Sequence, residues 1–232
     1  MAVRDLMDPQ RNYVLNHSRD DPFVMQQHQS DPFIYLPGPM RGVNMQARVL
    51  FEYDVRIKLE SHHQEDRYLP LIDEVAIFSE KTCIDEPAAY RIRGGGGGAV
   101  DITWALLTRA VEATVEVWIQ QLSAVAQHGD GDGGLDLSVS GFVSKIAGQE
   151  IKLFRGVVDK PCALNRFVVA VSLDSDLILH IKAHAAAGAG SSDHMGEFVF
   201  RTRSTAHGSA SDRRNFDFAT VEVKVTWSAL YP

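Results

Sequence analysis

The sequence predicts an all-β protein, an antiparallel β-sandwich or flattened barrel of about eight to ten strands behind an extended N-terminal arm. Three stretches carry that prediction. Val49, Phe51, Tyr53, Val55, Ile57 and Leu59 alternate with Leu50, Glu52, Asp54, Arg56, Lys58 and Glu60. Val111, Ala113, Val115, Val117 and Ile119 alternate with Glu112, Thr114, Glu116 and Trp118, and Val221, Val223, Val225 and Trp227 with Glu222, Lys224 and Thr226. A period of two sends successive side chains to opposite faces of a strand. A polar second face is the habit of antiparallel sheets with one side in water.

The elements follow in order. Residues 1–32 are polar and interrupted by Pro9, Pro22 and Pro32, each preceded by Asp. Such dipeptides favour turns and extended chain, so this arm is expected to pack poorly and to become ordered only near Phe33, Ile34, Tyr35 and Leu36. A single all-β domain is expected over 33–232. After the Val49 strand, the polar stretch Glu60 to Arg67 reads as an exposed connection. A second strand follows through Leu71, Val75, Ala76, Ile77 and Phe78, and Glu80 to Ala89 reads as irregular. The five glycines Gly94 to Gly98 read as a linker, because each gives up maximal backbone entropy on folding.

Ala and Leu content would allow a helix within Ala99 to Gln127, but the alternation and β-branched residues favour a strand over about 110–119. Val100, Ile102, Trp104 and Leu106 form a similar set before it, and Leu122 to Gln127 stays ambiguous. Gly129 to Gly134 separates this pair from Leu135, Leu137, Val139 and a run through Phe142, Val143 and Ile146. Ala147, Gly148 and Gln149 turn the chain into Ile151, Leu153 and Phe154. Phe167 to Leu173 and Leu177 to Ala183 read as a tight hairpin joined across Asp174, Ser175 and Asp176. Ala185 to Gly190 reads as a flexible loop, Phe198 and Phe200 resume alternation, and Ser204 to Asn215 reads as a polar loop.

Composition narrows the function. With 45% hydrophobic and 23% charged residues over 232 positions, the chain can bury a substantial core without staples. Its 23 Lys plus Arg against 30 Asp plus Glu give a net charge of −7, which opposes nucleic acid. The short basic spots at Arg201 and Arg203, and at Arg213 and Arg214, read as solvated strand edge and loop. Cys83 and Cys162 match no zinc or redox spacing, and no cofactor is implied. Met1 to Asn12 has neither the apolar run of a secretory signal nor the acid-poor character of a transit peptide. No segment approaches the roughly 20 apolar residues of a membrane span. A cytoplasmic setting is the expectation.

Four separated blocks carry a family resemblance. FIYLPGPMRG over Phe33 to Gly42, RVLFEYDVRIKLE, RAVEATVEVWI and the closing VEVKVTWS, taken together and in this order, resemble the grass family called domain of unknown function 6598. The resemblance covers roughly residues 20 to 230, with the glycine run and Ala185 to Gly190 looking like additions. It implies an all-β domain, often alone and in some grass proteins beside a ribosome-inactivating N-glycosidase domain. It implies no catalytic residues, because the matched blocks are strands and turns. The glycosidase motif itself, a Glu and an Arg three apart on a helix, is not reproduced: Glu112 and Ala113 begin similarly, but Val115 stands where Arg is needed.

Other constellations fall short of chemistry. His180 and His184 are four apart, but on a strand that is about 13 Å, too far for one metal with bonds of about 2.1 Å. His62 and His63, in an acidic loop with Glu65 and Asp66, show no ligand spacing. Asp130, Asp132 and Asp136 resemble a calcium loop, but Gly134 occupies the third ligand place and no acid closes the twelfth. The glycine run lacks the Lys and Ser or Thr of a phosphate loop, and no nucleophile elbow appears.

The expected function is therefore a non-enzymatic interaction module binding a protein partner, with a second copy of itself the simplest case, through strand edges and polar loops. The alternative is a carbohydrate or small-ligand binder using Trp104, Trp118 and Tyr90 as stacking residues. A third is an enzyme acting on RNA, by analogy with the neighbouring domain alone.

Overall fold

The computed structural model describes residues 1–5, 9–23, 33–36, 38–59, 67–79, 81–122, 134–185, 194–202 and 207–229. Its regular structure is almost wholly β, with fifteen strands among the described residues rather than eight to ten, and the sheets remain open rather than closing into a barrel. The chain forms two compact units, Met1–Ile34 with Gly38–Leu106, and Tyr35–Pro37 with Leu107–Pro232, where the sequence predicts a single domain after the arm.

The first unit holds β1 (Ala2–Arg4), β2 (Asn12–Tyr13), β3 (Val49–Leu59), β4 (Arg67–Phe78), β5 (Pro87–Arg93) and β6 (Ala99–Ala105). Its main sheet runs β2-β1-β3-β4, all antiparallel, and β5 and β6 form a separate hairpin. The expected loose arm is corrected at its start: Ala2, Val3 and Arg4 pair with Glu52, Phe51 and Leu50, and Val3 is buried. The signal was hidden because three residues are too few to show a period. Asp5, Asn12 and the segment after the cis Gly38–Pro39 peptide lock this strand down. Asn12 accepts from the Met40 and Arg41 amides and donates to the Arg41 carbonyl.

The predicted irregular stretch 80–89 also needs correction, since β5 starts at Pro87 and pairs with β6 along its whole length. Nor are the five glycines a linker. They turn the β5–β6 hairpin, with the Gly94 amide donating to the Gly98 carbonyl at 2.9 Å. A methyl group on Gly96 would lie 2.1 Å from the Pro70 carbonyl oxygen, and one on Gly94 2.2 Å from that of Leu71. Only glycine lets this turn lie so close to the backbone of β4.

The second unit is a sandwich of two antiparallel sheets. Its strands are β7 (Ala110–Leu122), β8 (Leu135–Val143), β9 (Ile151–Val158), β10 (Cys162–Ala163), β11 (Phe167–Ser172), β12 (Asp176–Ala185), β13 (His194–Arg201), β14 (Gly208–Asn215) and β15 (Ala219–Ser228). One sheet runs β10-β7-β15-β14, with β11 also on β7; the other runs β13-β12-β8-β9. The alternation of β7 and β15 reads true: Val111, Ala113, Val115, Val117, Ile119, Val221, Val223 and Val225 are all buried. Leu137, Val139, Leu177, Leu179 and Ile181 form the opposing inner face.

Two readings are overturned in this unit. The supposed hairpin of β11 and β12 does not exist: β11 pairs with β7, whereas β12 pairs with β8 and β13. The turn at Leu173–Ser175, with Asp174 at φ 60°, carries the chain from one sheet to the other. Thr202 Oγ1 clasps that corner, donating between the Ser172 and Ser175 carbonyls and accepting from the Ser175 amide. Likewise, the polar stretch ending at Asn215 is not a loop, because Gly208–Asn215 forms strand β14 along β15. As an edge strand exposed along nearly all its length, it shows no apolar period.

Candidate functional site

Two of the three aromatic candidates meet in the first unit. Tyr90 of β5 and Trp104 of β6 point from one face of their hairpin onto Phe51 of β3 and Phe78 of β4. Phe78 lies edge-on to both, with centroids 5.2 Å from Tyr90 and 4.6 Å from Trp104. The Tyr90 and Trp104 rings are 5.9 Å apart, and Phe51 completes the cluster. The period-two registers of β3 with β4 and of β5 with β6 aim these rings at one another. Trp104 thereby packs the hairpin on the sheet and is half-buried. Its Nε1 and the hydroxyl of Tyr53, which stacks on Phe51, are enclosed without a hydrogen-bond partner among the described residues. Burial pushes the Tyr53 phenol pKa up. Trp118 lies in the other unit, on β7 opposite Ala163 and Glu222.

The metal candidates are also dispersed. His180 Nε2 contacts Glu197 across the β12–β13 pair at 3.0 Å, with its ring 4.7 Å from Phe142. His184 lies further along β12, its side chain outside the described residues, as are His62, His63, Asp130 and Asp132. Asp136 contacts Arg155 at 3.3 Å. Among the described residues no group of three or more His, Cys, Asp or Glu side chains could hold an ion. A groove of about 170 Å³ at Met195, Asn215, Phe216, Asp217 and Phe218 is smaller than the roughly 300 Å³ at which ligand pockets begin.

Among the described residues of the first unit, several exposed apolar side chains gather on β4. This edge strand of 12 residues exposes Leu69, Val75 at 58% and Ile77 at 62%, and β3 is the one strand paired with it among the described residues. In register, Ile77 faces Leu50, Val75 faces Glu52 and Asp73 faces Asp54, so Asp73, Val75 and Ile77 share one face of the pleat. Glu74 lies on the opposite face, across from Tyr53. Neither Asp73 nor Glu74 has an ion pair or hydrogen bond among the described residues. Nearby cations are already engaged: Arg56 reaches Asp54 at 2.7 and 3.3 Å, while Arg4 and Arg11 hold Glu52 at 3.0 and 2.8 Å.

Edge strands of the second unit carry charged or capping groups, though β9 also exposes Val157. Along β13, Arg214 Nη1 donates to the Glu197 carbonyl at 2.6 Å, and Phe216 lies where any side chain on Gly196 would sit. Polar residues dominate β14, and β9 carries Lys152 and Arg155, with the Lys152 ammonium 5.6 Å from the Tyr35 ring centre. Proteins blunt edges in these ways because unpaired backbone groups recruit other strands. The sequence does carry a sign of the difference. Within β4, Val75 and Ile77 are apolar on the face opposite Ala76 and Phe78, so one sheet face cannot bury them all.

Architecture and surface define a two-unit antiparallel β protein whose edge strand β4 exposes apolar side chains. The chain belongs to the domain of unknown function 6598 family (DUF6598), whose profile matches residues 1–225. No curated protein matches it in sequence. Among solved structures, it is similar to the C2A domain of plant Extended Synaptotagmin 1, at 14% identity and a TM-score of 0.34, over 52% of this chain and 97% of that one. No helix among the described residues is long and apolar enough to cross a membrane.

Proposed function

We propose that this protein is a non-enzymatic interaction module that binds another protein by adding a strand to β4. The observation that carries the reading is the contrast between that edge, with Val75 and Ile77 largely exposed, and the guarded β13. Strand addition uses the backbone groups for affinity and alternate side chains for selection. Set beside the grass origin and ribosome-inactivating neighbours that the family resemblance implies, the reading extends to a cytoplasmic protein in plant defence, stress or toxin-related control.

A photo-crosslinking amino acid placed at position 75, with the same probe at position 211 on β14 as control, tests this. The expected result is a discrete protein adduct in plant extract at position 75 alone, lost when Ile77→Lys guards the edge. Equal labelling at both positions, or an adduct indifferent to Ile77→Lys, would sink the reading.

A further inference from the structure

Resting on that reading, we infer the class of partner: an extended segment of pattern apolar, any residue, apolar, basic, basic, lying antiparallel along Asp73 to Ile77. Three observations lead to it.

The first is the available length. The glycine turn crowds the backbone of Pro70–Ile72, since methyl groups on Gly94 and Gly96 would collide with the Leu71 and Pro70 carbonyls. Among the described residues, the part of the edge clear of this turn begins at Asp73, and a short segment fills it. The second is the order of chemistry along it. Val75 and Ile77 are apolar on one face, with Asp73 beside them and Glu74 on the other face. Reading an antiparallel partner against these, an apolar residue falls opposite Ile77, any residue opposite Ala76, and a second apolar residue opposite Val75. A cation then falls opposite Glu74 and another opposite Asp73. Opposite charges across a strand pair are favourable and like charges are not.

The third is the state of the carboxylates. Asp54 and Glu52 are held by arginines in direct ion pairs, whereas Asp73 lies only in the field of Arg56 and Glu74 has no direct ion pair among the described residues, so these two acids can still take an incoming cation. The same charges disfavour a second copy. Two-fold pairing centred between Asp73 and Glu74 opposes acid to acid, and pairing centred on Val75 sets Asp73 against Ile77 and Glu74 against Ala76. The net charge of −7 adds to the penalty.

Fluorescence anisotropy of a labelled peptide, GSVTVKKGS, titrated with the full chain at low salt tests the inference. Companion peptides replace both lysines by glutamate or by asparagine, and another is N-methylated at alternate backbone nitrogens. Binding of the lysine peptide is expected to weaken on the order of tenfold in the Asp73→Asn, Glu74→Gln chain, the scale two exposed ion pairs supply. It should weaken further at 0.5 M salt through screening. The asparagine peptide should bind both chains alike.

Glutamate and lysine peptides binding equally would overturn the charge pattern while leaving strand addition standing. An N-methylated peptide that binds unchanged would overturn strand addition itself. No binding of the lysine peptide at millimolar chain overturns the partner class. So does concentration-dependent dimerisation in light scattering that Val75→Lys abolishes, which assigns the edge to a second copy.

Discussion

Arg41 Nη1 donates to Asp5 Oδ2 at 2.8 Å, and the carboxylate it holds is 1% exposed. The same oxygen accepts from the Asn44 amide at 3.1 Å. This contact ties β1 to the PGPMRG segment, one of the blocks on which the family resemblance rests, and gives that block a structural duty.

Removing the guanidinium takes away the cation that holds this buried carboxylate. Arg41→Ala is expected to cost about 2–4 kcal/mol, below the top of the range for broken buried pairs because the arginine is itself 29% exposed. Urea unfolding checks this; a cost within about 0.5 kcal/mol, typical of surface changes, would show that the pair does not hold β1.

Tyr53 buries a hydroxyl with no hydrogen-bond partner among the described residues, so Tyr53→Phe should be neutral or stabilise by up to about 1 kcal/mol. The pH dependence follows from the raised phenol pKa. Above the ordinary value near 10.0 the unfolded chain ionises this phenol while the folded chain keeps it protonated. The contribution is thus fully present below pH 10 and is lost as pH rises through the folded value. Denaturant midpoints at pH 9 and pH 11 should show a smaller alkaline loss for Tyr53→Phe than for the parent.

The glycine run separates into demanding and permissive positions. Gly96→Ala would drive a methyl to 2.1 Å from the Pro70 carbonyl and is expected to cost about 1–3 kcal/mol. Gly95→Ala meets nothing within 4 Å and should stabilise by about 0.4–1 kcal/mol through the unfolded chain. Thermal melts of the two variants side by side decide it; equal effects would mean that the turn is not seated on β4.

Arg214 lies 5.1 Å from the Phe198 ring centre and contacts Asp212 at 2.8 Å while capping the Glu197 carbonyl. Arg214→Ala is expected to cost about 1 kcal/mol in stability yet to unguard β13, whose Met195 and Val199 are exposed. Self-association measured by light scattering should rise over the parent. An unchanged molecular mass at every concentration would show that the guanidinium is no guard.

Much of the fold was legible from sequence because the period-two pattern is local. The buried faces of β7, β12 and β15 follow directly from Val111 to Ile119, Leu177 to Ala183 and Val221 to Trp227. The candidate site was legible only in part: Tyr90 and Trp104 were singled out, but their rings turn out to pack on Phe78. The exposed pair Val75 and Ile77 has its sign in the two-faced apolar pattern of β4.

By itself the sequence determined which residues of each long strand turn inward, since steric alternation and water aversion act within a few residues. Tertiary structure alone decided partners. It sent β11 and β12 to opposite sheets, paired the polar Gly208–Asn215 with β15, and anchored Ala2–Arg4 on β3. Such pairings join residues far apart in the chain, and their energy depends on which backbone groups the remaining strands leave unmet.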